Sequence, residues 1–149
     1  MRRVNQVIVL LIISMFSVAQ ASNLEFDHTT ILVKDLEKSA RFYKNVLHLE
    51  ELETPWGENP SIRFFAIGKN LQLHIAQGDN DEIKLNKSIH IALAVTDFDQ
   101  YLSYLDDIGV AYSNFEGDGN TFQTRPDGVK QVYLQDPDGY WIEINDARH

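Results

Sequence analysis

The sequence predicts an α+β chain made of two like modules, each a strand, a helix and then further strands. Two observations carry this reading. The stretch HTTILVKDL at 28–36 is matched by HIALAVTDF at 90–98, so His28, Val33 and Asp35 correspond to His90, Val95 and Asp97 at a constant offset of 62. Strand-like runs in both halves alternate an aliphatic residue with a polar or small one, the period of a sheet with one buried face.

Each module follows in chain order. The β-branched run near residue 28 reads as a strand. It ends at Asp35, a residue type suited to capping a helix N-terminus. Leu36, Ala40, Tyr43 and Leu47 then recur at helical spacing. Residues 62–67 and 71–76 are strand-like around Gly68-Lys69-Asn70, a hairpin turn. The second module repeats the order: a strand near 90, Asp97 as cap, and a helix with Tyr101, Leu102, Leu105 and Ile108. Strands at 132–135 and 140–145 then flank the turn at 136–139. The modules span 24–78 and 87–147, joined by a polar segment. About 60 residues is marginal for an independent fold, so the two halves are expected to share one core as a single domain over 22–149.

Composition excludes several classes. The 149 residues contain no cysteine, which removes disulfides, cysteine nucleophiles and thiolate metal sites. A net charge of −9 without a basic stretch argues against nucleic acid as a partner. The first 21 residues read as a secretory signal. Arg2 and Arg3 form a basic start, residues 7–16 are almost wholly apolar, and Ala19-Gln20-Ala21 offers a small-x-small cleavage site. The apolar run is short for a membrane span of about 20 residues. Cleavage leaves a chain starting at Ser22 with a net charge of −11 and no stable membrane span. A bacterial periplasm is the expected location.

Alternation decides which side chains meet. Ile31 and Val33 lie opposite His28 and Thr30; Leu73 and Ile75 lie opposite Gln72 and His74; Ile91 and Leu93 lie opposite His90, Ala92 and Ala94; Ile142 and Ile144 lie opposite Trp141, Glu143 and Asn145. One face covers the helices. The other carries His28, Gln72, His74, His90 and Glu143 and suits a pocket with converging polar groups. Two imidazoles and a carboxylate, His28, His90 and Glu143, suit one divalent metal ion (Zn, Ni, Fe or Mn) and leave positions for water and substrate. Gln72 is a fourth, weaker candidate through its amide oxygen. His74 lines the pocket, carries protons or takes the place of Gln72. His48 and His149 read as terminus or solvent residues.

Three stretches together, DHTTILVKDLEKSARFY at 27–43, SIHIALAV at 88–95 and DPDGYWIEI at 136–144, resemble the vicinal oxygen chelate superfamily of glyoxalase I, fosfomycin- and bleomycin-resistance proteins and extradiol dioxygenases. The resemblance implies paired βαβββ modules forming an open, barrel-like cleft around a metal. It matches His28, His90 and Glu143 to the family's ligands. Where glyoxalase I has Glu-Leu-Thr, this chain has Gln72-Leu73-His74. The resemblance thus implies a metal-dependent, glyoxalase-like (lactoylglutathione lyase-like) enzyme. Its small substrate is chelated through vicinal oxygens, with Glu143 as ligand and base and His74 as an auxiliary acid or base. A non-haem iron dioxygenase and a metal-free ligand-sequestering protein are the alternatives. A homodimer is expected. The loop at 113–128, with Arg125 and Lys130 near its end, either covers the cleft against an anionic substrate or is a solvated loop. Trp56, Phe64 and Trp141 line an apolar part of the pocket or belong to the core.

Overall fold

The computed structural model describes residues 24–55, 57 and 61–148. The expected leader, Trp56 and His149 lie outside them. The first module runs β1 (His28–Val33), α1 (Leu36–Asn45), β2 (Glu51–Leu52), β3 (Ile62–Gly68) and β4 (Leu71–Gln77). The second runs β5 (His90–Ala94), α2 (Phe98–Asp107), β6 (Gln123–Thr124), β7 (Lys130–Gln135) and β8 (Trp141–Asn145). Each module is therefore βαβββ. Each forms a four-stranded sheet in which the first strand pairs parallel with the last, in the orders β1-β4-β3-β2 and β5-β8-β7-β6. No barrel closes among the described residues.

The caps fall where the sequence placed them. The Asp35 carboxylate accepts from Lys38 N at 2.9 Å and the Asp97 carboxylate from Gln100 N at 3.0 Å, satisfying amides that the first helical turn leaves unpaired. In the closing turn of the second module Gly139 has φ +91°, a conformation a side chain would strain. Its N–H donates to Asp136 O at 3.0 Å. The second helix is anchored differently from its expected pattern. Phe98 and Leu105 are buried, whereas Ile108 lies past the helix end and is exposed.

The aliphatic strand faces meet in one core. Ile31, Val33, Phe65, Leu73 and Ile75 of the first sheet share a cluster with Val132, Leu134, Ile142 and Ile144 of the second. The same cluster holds Leu36, Ala40 and Tyr43 of α1 and Phe98 and Leu105 of α2. Polar contacts tie the modules across it. The hydroxyls of Tyr101 and Tyr104 donate to Val46 O at 3.2 Å and Asn45 O at 2.8 Å, at the end of α1. Ser39 Oγ donates to Asp138 at 3.0 Å and Tyr43 OH to Asp136 at 2.7 Å. Since both aliphatic faces and both helices belong to this shared interior, the polar face of each sheet lies on the side away from that core.

The Tyr43–Asp136 bond is the buried polar link between the halves. Burial holds the Asp136 carboxyl above its ordinary range despite donation from Tyr43, Tyr140 N and Asp138 N. Burial beside that carboxylate raises the Tyr43 phenol well above its ordinary value. Tyr43→Phe leaves a buried carboxylate short of a donor and is expected to cost about 1–3 kcal/mol by urea unfolding. The folded state holds the Tyr43 proton more tightly than the unfolded chain, whose phenol titrates near about 10. The wild type should therefore lose stability as pH rises above about 10, a loss reduced in the variant. Equal urea midpoints would contradict the link.

Candidate metal centre

Parallel pairing builds two equivalent donor pairs. In the first sheet His28 stands opposite Gln72, and Thr30 opposite His74. In the second, His90 stands opposite Trp141, and Ala92 opposite Glu143. Counted from the repeated histidine, His74 therefore takes the place that Glu143 takes in the other module, and Gln72 the place of Trp141. This correspondence depends on sheet register and is invisible in the linear sequence.

The second-sheet pair is His90 and Glu143. The His90 ring meets Lys87 O through Nδ1 at 2.8 Å. A carbonyl only accepts, so Nδ1 carries the proton and Nε2 is left as the lone-pair nitrogen. That Nε2 lies 3.1 Å from Glu143 Oε2. Two acceptors at this distance call for a shared proton or a shared cation. Glu143 is 4 % exposed and both its oxygens are held: Oε2 by Tyr133 OH at 2.7 Å, Oε1 by Asn145 Nδ2 at 2.7 Å. Gln131 Nε2 in turn donates to Tyr133 OH at 2.8 Å. Burial, and then the Glu143 carboxylate, push the Tyr133 phenol far above its ordinary value. Tyr133 is thus a donor to Glu143 at any working pH.

The first-sheet pair is His28 and His74. Asp27 Oδ2 lies 2.5 Å from His28 Nδ1, so this ring too carries its Nδ1 proton toward an acceptor and keeps Nε2 for a ligand. The His74 ring is stacked between His28, with centroids 4.3 Å apart, and Phe64, at 3.7 Å. Burial, and then His28, lower the His74 pKa, which favours the neutral, coordinating form. Its Nε2 lies 2.8 Å from Gln72 Oε1; the amide oxygen accepts, so Nε2 donates.

The structure thus brings His28, Gln72 and His74 together on the polar face of the first sheet, and His90 and Glu143 on that of the second. Among the described residues, no three His, Asp or Glu side chains of one chain converge closely enough to hold a metal ion. The donor chemistry itself fits a divalent ion. Three imidazoles and a buried carboxylate, with Nδ1 of His28 and His90 fixed by an outside acceptor, match the orienting pattern of metal-bound histidines.

Other candidates separate. Phe64 is buried and belongs to the polar face as the platform under His74. Trp141 lies under the Lys87 ammonium, 4.6 Å from the ring centroid. Arg125 is paired with Asp127 at 2.5 Å, and Lys130 with Asp99 at 3.0 Å over the Phe98 and Phe122 rings; the structure thus spends both charges within the chain. The sequence reading missed Tyr133, Asp27 and Lys87. Alternation puts Tyr133 on a polar face, but its position opposite Glu143 follows only from the β7–β8 register.

Comparison with known proteins agrees with this architecture. Residues 25–144 match the family model of the Glyoxalase/Bleomycin resistance protein/Dioxygenase superfamily. The chain is 29% identical over 127 residues to the uncharacterized protein YwbC of Bacillus subtilis, covering 79% of this chain and 94% of that one. It is 30% identical over 135 residues to a lactoylglutathione lyase of Salmonella typhimurium, covering 81% and 91%. Among solved structures, the fosfomycin resistance protein FosX of Listeria monocytogenes superimposes with a TM-score of 0.62 at 25% identity, covering 87% and 96%. On its sequence match and its paired βαβββ modules, the chain belongs to the glyoxalase/bleomycin resistance protein/dioxygenase superfamily.

Proposed function

We propose that this protein is a metal-dependent, glyoxalase-like enzyme that binds a small substrate through two vicinal oxygens, and that its metal centre is shared between two copies of the chain. The contact between His90 Nε2 and Glu143 Oε2 at 3.1 Å carries the reading. With Nδ1 committed to Lys87 O, the pair is poised for a cation. One copy contributes His90 and Glu143; the first sheet of the second copy contributes His28 and His74. Each half-site holds two donors, and a homodimer brings the complementary faces together.

Gln72 has a different role here from the fourth ligand its sequence position suggests. Its amide oxygen holds the His74 ring, and His74 is the register counterpart of Glu143. A divalent ion, when bound, supplies Lewis-acid polarisation of a substrate oxygen. The chain's own groups do the rest. Tyr133 and Asn145 fix the Glu143 carboxylate. Glu143 is the carboxylate in the assembled donor set and is the candidate proton acceptor for a carbon acid next to a carbonyl. Neutral His74 keeps the opposite wall uncharged. Relatives include a lactoylglutathione lyase and a fosfomycin resistance protein, and isomerase-type proton transfer is the reading that a single well-held carboxylate favours. We also propose that the chain is exported, with Ser22 as the mature N-terminus; intact mass of the periplasmic protein should match residues 22–149, and retention of Met1 would contradict it.

Zinc titration followed by elemental analysis tests the centre. About one ion per chain is expected in the wild type. His90→Ala, Glu143→Ala and His74→Ala should each lower affinity by about 100-fold or more, whereas Gln72→Ala and Tyr133→Phe, which only orient donors, should lower it by about tenfold. Wild-type affinity in Glu143→Ala would remove the site. Wild-type affinity in His74→Ala, with loss in Gln72→Ala, would return the fourth position to Gln72.

A further inference from the structure

Lys87 opens the second module in sequence and reaches across the polar face of the second sheet in space. It stands three residues before β5, at one sheet edge, yet its ammonium reaches over β8 to β7. Nζ sits 4.6 Å from the Trp141 ring centroid on β8 and 5.7 Å from the Tyr133 ring on β7. It donates to Ser113 Oγ at 3.1 Å and Asn114 O at 2.8 Å on the strand-edge loop beyond β7. That loop is itself fixed: the Asn114 side-chain oxygen accepts from Gly117 N and Asp118 N, both at 2.8 Å. The ammonium is therefore held in place by a rigid frame.

Its partners are all neutral. Lys34, Lys44, Arg63, Arg125 and Lys130 each meet a carboxylate; Lys87 meets none within 4.0 Å among the described residues. Two of its three N–H groups are used, leaving one donor and a full charge. This charge stands beside the proposed metal centre. Lys87 supplies the carbonyl that orients His90, and the Tyr133 ring beneath its ammonium also packs against the His90 ring at 5.3 Å.

We infer that Lys87 is a recognition residue for the substrate's anionic arm. While two vicinal oxygens of the substrate lie at His90 and Glu143, the Lys87 ammonium takes a carboxylate or comparable oxyanion carried elsewhere on the same molecule. The substrate class is thus a small chelating acid. A pinned cation with neutral partners in an acidic chain adds selectivity through a charge-assisted hydrogen bond and draws anions to a face that the net charge of −9 would otherwise repel. This inference rests on the metal reading above.

The test uses two hydroxamates with the same chelating group. Acetohydroxamate has no further charge; succinic acid monohydroxamate adds one carboxylate. Calorimetry on the zinc-titrated full protein should give the carboxylated ligand an advantage of about tenfold. Lys87→Met, which keeps an apolar stem over the two rings, should erase the advantage while leaving acetohydroxamate affinity within about twofold. Lys87→Arg should restore most of it. In the wild type the advantage should shrink as salt rises, a readout that needs no variant. No advantage in the wild type, or an advantage that survives in Lys87→Met, overturns the inference and leaves the metal centre standing. Failure of the wild type to take up zinc overturns both.

Discussion

The whole arrangement depends on one constraint: two amphipathic sheets with two helices share a single apolar core. A sheet with one aliphatic face must bury that face. Here both sheets do so against the same helices, with Val33, Tyr43, Phe65, Leu105, Val132 and Ile142 among the buried residues. Burying the aliphatic faces inward turns the polar faces outward. The chemistry-bearing residues therefore stand in pairs on the polar faces of two different sheets, with His74 and Glu143 themselves buried, and on the proposed reading a complete centre calls for a second copy. Dimerisation is in this view a consequence of packing.

Within each face, hydrogen bonds convert flexible side chains into fixed donors. His28 and His90 occupy equivalent positions, and each has its Nδ1 next to an acceptor, Asp27 in one case and Lys87 O in the other. Glu143 is held by Tyr133 and Asn145, and His74 by Gln72 and two stacked rings. Orientation of this kind reduces the reorganisation needed when a cation arrives. The equivalence is not complete. The first module pairs imidazole with imidazole, the second imidazole with carboxylate, so any base chemistry is concentrated at Glu143.

Much of this was legible in the sequence because it is local. The repeat equates His28 with His90 directly, the aspartate caps sit at helix starts, and the two-residue period separates core from polar face. What was not legible depends on contacts between distant segments. The short strands β2 and β6 have two residues each, too few for any period to register. Parallel pairing of β1 with β4 joins residues 44 positions apart, His28 with Gln72, so the identity of the His74 and Glu143 positions was hidden. The same holds for Tyr133, whose role comes from standing opposite Glu143, and for Lys87, whose ammonium reaches across two strands. The separation of the donors into two pairs follows from how the modules dock, which alternation along single strands does not encode.

The most direct test of the shared centre is complementation of zinc binding between two inactive variants. His28→Ala and Glu143→Ala, each unable to bind zinc alone, are mixed, dissociated in mild denaturant and reassociated. In a mixed dimer one site inherits both defects and the other inherits neither. The account expects zinc to return at about one ion per four chains in a statistical mixture. A mixture that binds no more zinc than its separate components would show that His28 and Glu143 do not meet across two copies, and would contradict the account.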